Sequence, residues 1–173
     1  MNGKYMAYVG SYSYTGKAKG ITVYDVDVEN GVFKERCEME VDNSSYVIAS
    51  SDGKTLYSIA DEGVVSFRIL QNGSLARLNS SPIRGMRGCH LCTDMEDKYV
   101  FVSGYHDGKT TVLSLNKDGS VGEIVDEVYH KGYGSVAERN FRSHITCTRR
   151  MPDGRYVLSD DNGTDQVKVY RFN

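Results

Sequence analysis

The segment "FRSHITCTRRMPDGRYVLSDDNGTD", residues 141–165, sets a histidine, His144, directly after an arginine-bearing stretch and directly before an apolar alternation. An imidazole titrates near pH 7 and can take a proton from water. Arg139 and Arg142, just upstream, are suited to hold a developing oxyanion or, with paired N–H donors, a phosphate. The same histidine would also be served by backbone hydrogen bonds at a strand end, a purely structural use. His90 has a similar setting, heading an apolar run behind Arg84 and Arg87. His106 and His130 read as loop residues.

Three other clusters attract chemical readings. Cys89–Cys92, "CHLC", resembles half of a zinc site, but no second half exists. On a strand, side chains three apart point to opposite faces, and the redox version of this motif needs a helix start. Cys37, Cys89, Cys92 and Cys147 therefore read as buried, reduced thiols, and no metal is expected. The acidic run "DDNGTD" lacks the spacing of a calcium loop; Asn162 and Gly163 read as a turn between two strands. "SYSYTGKAKG" lacks the spacing of a phosphate-binding P-loop and reads as a solvated basic loop.

The elements that must position these residues are strands. Period-two apolar alternations recur in "KYMAYVGSY", "GITVYDVDV", "TLYSIAD", "VVSFRIL", "KYVFVSGY", "TTVLSLN", "YVLSDD" and "VKVYRF", each bounded by turn residues. No segment sustains a helical period; "GSVAERNF" is the best candidate and is short. Two turn types recur in phase. One set ends at Gly31, Gly73 and Gly119, at intervals of 42 and 46 residues; the other holds Asp52, Asp97 and Asp153. Both carry hairpin signals. The unit is an inner strand, an Asp-Gly turn, a strand, a short turn, a strand, an Asn/Asp-Gly turn and an outer strand. Its length of roughly 40 to 50 residues is that of a β-propeller blade. A β-sandwich shares the strand spacing, but not the in-phase pair of turns. The expected fold is all-β, a partial β-propeller of about three and a half four-stranded blades: three full units and the start of a fourth.

Composition bounds the partners. The 173 residues carry a formal charge of -2, with 39% apolar and 25% charged residues. That suffices for a packed core. It argues against nucleic acid as the main partner, because phosphate neutralisation needs a basic face. No run of about 18 apolar residues occurs, so no membrane-spanning helix is expected. The N-terminus has no long apolar core of a signal peptide, which leaves the cytoplasm as the expected location. Propellers close with about four to eight blades. An open arc leaves its flanks in water, so self-association through the blade flanks is expected unless the chain is part of a longer one.

The opening "YVGSYSYTGKAKGITVYDVDVENG" resembles that of the seven-bladed lactonase propellers, the 6-phosphogluconolactonase-like and muconate-lactone cyclase-like proteins. Tyr8 to Tyr12, then Lys19, Gly20 and Ile21, match that pattern. The stretch from Gly88 to Val121 is similar to a later family blade, with His90 and Tyr105 matching and Gly104 standing where the family has asparagine. Phe141 to Phe172 is similar to the family's Pro-His-x-His … Asp-Leu-Gly-x-Asp run. His144, Asp161, Gly163 and Asp165 match; Ser143, Thr146 and Asn162 depart. The resemblance covers the whole chain but only about the first half of a family member.

The resemblance implies a sugar δ-lactone hydrolase without cofactor, its substrate a small-molecule lactone or sugar phosphate. His144 would be the catalytic base. His90, Arg139, Arg142, Tyr105, Asp161 and Asp165 would serve the substrate site, the two aspartates also fixing the blade's inner edge through backbone hydrogen bonds. The family's further arginine and acid lie in blades after this segment. The alternative is a non-catalytic propeller scaffold or binding module, because fold alone does not fix function.

Overall fold

The computed structural model describes residues 5–136 and 141–172. Among these, every regular element is a β-strand. The first sheet holds β1 (Tyr5–Gly10), β2 (Gly20–Asp27) and β3 (Val32–Glu40). The second holds β4 (Val47–Ala49), β5 (Thr55–Ile59), β6 (Gly63–Ile69) and β7 (Leu75–Pro82). The third holds β8 (His90–Thr93), β9 (Tyr99–Gly104), β10 (Lys109–Leu115) and β11 (Val121–Tyr129). The fourth holds β12 (Ile145–Arg150), β13 (Tyr156–Asp161) and β14 (Gln166–Arg171). All four are antiparallel meanders in chain order.

The turns hold the register. Gly53, Asp97 and Gly154 take left-handed backbone at φ 68°, 50° and 71°, so "MEDK" makes the same turn as "SDGK" and "PDGR" without a glycine. Aspartate is among the few non-glycine residues that enter this region readily. The turn's neighbours support it: the Asp97 carboxylate accepts the Ser51 N–H of the preceding blade at 2.8 Å.

The apolar runs become inter-sheet layers. Leu56 and Tyr57 are adjacent on β5 but enter different clusters, Leu56 facing Ile21 and Val23 of the first sheet and Tyr57 facing Leu91 and Val102 of the third. Phe101 faces the other way, toward Val157 of the fourth. The middle sheets are thus buried on both faces, and all five residues of β5, Thr55 and Ser58 included, are buried. Truncating such a side chain, Leu56→Ala for example, costs about 2–5 kcal/mol. The end sheets have one face covered. Tyr5 and Phe33 on the first are each 58% exposed, and Val167 and Val169 on the fourth are 60% and 61% exposed.

The fourteen strands amount to the expected three and a half four-stranded blades, but not as three full units and the start of a fourth. Among the described residues two sheets have four strands; the first has no inner strand, since β1 is equivalent to β5 and β9, and the fourth no outer one, since β14 is equivalent to β6 and β10. An apolar groove of about 390 Å³ lies between the third and fourth sheets, lined by Phe101, Val112, Val125, Val157, Tyr170 and Phe172. It opens beside β11, where the fourth sheet has no strand to face it. Its lining excludes both His90 and His144.

Candidate active site at the mouth of the inner strands

The connectors into the inner strands and the β5–β6, β9–β10 and β13–β14 turns lie at one end of the sheets. Both candidate histidines sit at this end. They do not sit at the same level. Ser50, Asp94 and Met151 each donate an N–H across the inner-strand turn, to Thr55, Tyr99 and Tyr156. Counted back from these points, Tyr46, His90 and Cys147 are equivalent. The tier is real in space: the Tyr46 and His90 rings lie 4.6 Å apart, and His90 Nε2 is 3.6 Å from Cys147 Sγ. His144 stands above this tier because it lies three residues before Cys147, in the loop entering β12; one of those residues is a bulge, with Ile145 paired to Asp161 and Cys147 to Asp160. The unpaired Thr146 turns outward and is exposed. Bulges re-aim side chains in this way. His90 and His144, alike in sequence setting, therefore stand at different levels.

His144 is 7% exposed and held on three sides. Its N–H donates to Asp161 Oδ1 at 2.8 Å. Its Nδ1 is 2.8 Å from the Tyr105 carbonyl oxygen, and its ring stacks on the Tyr105 ring, centroids 4.4 Å apart at 20°. A carbonyl only accepts, so Nδ1 carries the proton and Nε2 of the neutral ring keeps its lone pair. Tyr105, expected to line the substrate site, thus orients the histidine with both its backbone and its ring. Phe141 presents its edge from 6.4 Å.

Asp161 sits behind His144 and accepts backbone hydrogen bonds, as expected of a residue fixing the blade's inner edge. The residue is 2% exposed and its carboxylate takes five protein donors. Oδ1 accepts from the N–H groups of His144, Gly163 and Thr164; Oδ2 accepts from Ser143 Oγ at 2.7 Å and His130 Nδ1 at 3.0 Å. Burial alone would raise its pKa, but the hydrogen bonds led by Ser143 and His144 outweigh it and hold the carboxyl at about 2. Asp165 takes φ 54° and accepts from the N–H and hydroxyl of Ser135 at 2.6 and 2.7 Å. Gly163 is required by close approach: a Cβ there would lie 2.0 Å from the Arg142 carbonyl oxygen and 2.6 Å from the His144 nitrogen.

The other candidates are less tightly placed. Arg142 is exposed, its guanidinium 5.5 Å from the neighbouring Phe141 ring. Arg139 lies outside the described residues. Of the two arginines before His90, Arg84 offers its carbonyl to the buried Lys109 ammonium at 2.8 Å. Arg87 pairs with Asp61 at 2.7 Å and lies 4.9 Å from the Tyr12 ring. His90 is 7% exposed, and its buried Nδ1 has no protein partner. Burial, with Arg149 nearby, lowers its pKa against the opposing pull of Asp160. Gly104 leaves no empty space where a side chain would stand; a Cβ there would lie 2.2 Å from Asp107 Oδ1.

The cysteines are half-buried rather than buried. Cys89 donates to the Ile145 carbonyl oxygen at 3.3 Å and stitches the third sheet to the fourth. Burial raises the pKa of Cys89 and of Cys147. Among the described residues, no three His, Cys, Asp or Glu side chains converge as metal ligands would.

The sequence reading missed His130. It is a loop residue as expected, in the connector after β11, but a buried one, 6% exposed, with its ring on Asp161. Its partners come from other elements, so nothing near position 130 announces the role.

Residues 6–173 match the family model described as "Lactonase, 7-bladed beta-propeller". The 6-phosphogluconolactonase of Bacillus subtilis is 32% identical over 175 residues, which takes in 98% of this chain and 50% of that protein. A crystal structure of a Bacteroides fragilis protein superposes with a TM-score of 0.91 at 34% identity, over 98% of this chain and 49% of that one. The periplasmic gluconolactonase of Pseudomonas aeruginosa superposes with a TM-score of 0.88 at 26% identity, over 96% and 49%. The chain spans about half the length of the curated relatives it matches. By its strand order, its histidine-bearing inner strand and the match along nearly its whole length, this chain belongs to the lactonase family of seven-bladed β-propellers.

Proposed function

We propose that the protein contributes to hydrolysis of a sugar δ-lactone, of the 6-phosphogluconolactonase type, with His144 as general base. One observation carries the reading: Nδ1 of His144 is committed to the Tyr105 carbonyl, which leaves Nε2 as the basic nitrogen. In the reaction, Nε2 takes a proton from water as its oxygen attacks the lactone carbonyl. The tetrahedral oxyanion then collapses, the ring C–O bond breaks, and the ring oxygen receives the proton to give the hydroxy acid. Arg142, Arg139 and His90 are the groups on this chain that would meet an anionic or hydroxylated substrate. The similarity to the B. subtilis enzyme supports the substrate class.

The test is δ-lactone hydrolysis, corrected for the spontaneous reaction, by this chain and by His144→Ala. Loss of a general base is expected to lower the enzymatic rate by about 10²–10⁴-fold; equal rates would overturn the reading. A non-catalytic scaffold is the second reading, favoured by the exposed threonine at 146 and by Arg142 resting on Phe141. The uncovered apolar faces of the first and fourth sheets support self-association of this chain in solution. A monodisperse monomer in light scattering would contradict that.

A further inference from the structure

The buried polar groups behind His144 form a line that continues past Asp161. His130 Nδ1 is 3.0 Å from Asp161 Oδ2, and His130 Nε2 is 2.8 Å from Tyr170 Oη. The side chains of His130 and Asp161 are both 0% exposed. The proton positions follow from the partners. An ionised carboxylate only accepts, so Nδ1 of His130 carries its proton. Nε2 then holds a lone pair, and the Tyr170 hydroxyl donates to it. Every polar atom along Tyr170, His130 and Asp161 is used, and the far end of the line is the His144 N–H. Such fully satisfied chains fix their members in one arrangement.

We propose that His130 and Tyr170 are positioning residues for His144, acting through Asp161. The idea rests on the reading of His144 as the base, but it concerns where that base is held. Asp161 has two jobs in opposite directions: its Oδ1 grips the backbone at His144, Gly163 and Thr164, and its Oδ2 is itself gripped by His130 and Ser143. Without the Oδ2 donors the carboxylate can rotate, and the loop above the bulge loses its anchor. His144 is then free to slide off the Tyr105 carbonyl that sets its tautomer. Second partners that orient a functional imidazole commonly act in this manner. Tyr170 lies on β14, the outermost strand described in the fourth sheet, so the order of the site is tied to the seating of that edge.

The experiment reads His144 directly, without needing turnover. Histidine-labelled protein would be examined by ¹⁵N NMR for the His144 ring tautomer, and amide exchange at His144 compared with Val65 and Phe67 in the second sheet. In wild type, His144 should show the Nδ1–H tautomer and a protected amide. In His130→Leu, His144 exchange should rise about tenfold relative to the second-sheet amides, the loss of roughly one hydrogen bond, and the tautomer should average. His130→Asn, which keeps a donor toward Asp161, should restore most of the protection. Tyr170→Phe keeps the ring and should give a smaller rise in the same direction; it carries the test if His130→Leu fails to fold. His144 signals that follow the second-sheet amides in both His130→Leu and Tyr170→Phe would overturn the proposal. If His144→Ala still hydrolyses lactone, the functional reading falls, and these NMR outcomes still decide the positioning role.

Discussion

His90 and His144 look alike in the sequence and equally buried in the fold, each 7% exposed, yet their surroundings differ in kind. His144 has one ring nitrogen committed to a carbonyl, its backbone committed to a carboxylate, and its ring on an aromatic face. His90 leans on Tyr46, meets the Cys147 sulfur at 3.6 Å, and leaves Nδ1 buried without a partner. A histidine becomes a base when one nitrogen is tied down and the other is left with a lone pair. His144 meets that condition; His90 does not. The difference arises from position, since His144 lies in the loop before β12, three residues ahead of Cys147, the residue that shares a tier with Tyr46 and His90, with the bulged Thr146 between them. Burial alone would have ranked the two equally.

The contrast is sharpened most strongly at Asp161. Replacing it with asparagine sets an amide donor among five donors. That should cost about 3 kcal/mol of stability in urea denaturation and abolish lactone hydrolysis. A loss under about 1 kcal/mol would mean that the carboxylate is not the anchor. Next comes Gly163→Ala. Its Cβ would meet the backbone of Arg142 and His144, whereas a Cβ at Gly88, in the connector before β8, would meet the Val102 side chain at 2.5 Å. The expected order is a loss of about 2–3 kcal/mol at Gly163 and a smaller one at Gly88, because side chains shift more readily than backbone. Equal losses would erase the distinction between the two loops.

Acid titration separates the sites by pH window. Asp161 has a folded pKa of about 2 against an ordinary value of 3.8. Its contribution is therefore present above pH 4 and is lost as pH falls through about 2, roughly 2 kcal/mol in all. His90 and His130 have folded pKa values lowered by burial. Their neutral forms suit the fold, so their contribution is full above about pH 6.5 and declines as pH falls below it. His90→Phe should flatten the pH dependence just below that point, while stability at neutral pH changes by less than about 1 kcal/mol, because an unpartnered nitrogen is removed with its ring shape kept. A larger loss at neutral pH would show that His90 Nδ1 has a partner after all.

Much of the architecture was legible because strands and hairpins write themselves locally. Period-two runs and Asx-Gly turns gave the blade unit, even at Asp97, where the glycine is missing. Which strand of a unit comes first is not written in any one strand, so the inner edge of the first sheet and the outer edge of the fourth were misassigned. The site was legible only in part. His144 stood out by its type and its neighbours. The bulge beside it has no sequence signature. The expectation that Asp161 accepts backbone hydrogen bonds at the inner edge agrees with its three N–H donors, but its side-chain donors Ser143 and His130 converge only in the fold. His130 was passed over for the same reason: Asp161 and Tyr170 lie 31 and 40 residues away.

The most direct test of the account is a paired measurement of kcat/KM for δ-lactone hydrolysis by His144→Gln and His90→Gln beside the unaltered chain. The account predicts a fall of about 10²-fold or more for His144→Gln and less than about tenfold for His90→Gln, since only the first removes the proposed base. Equal falls in the two variants, or a larger one at His90, would contradict it.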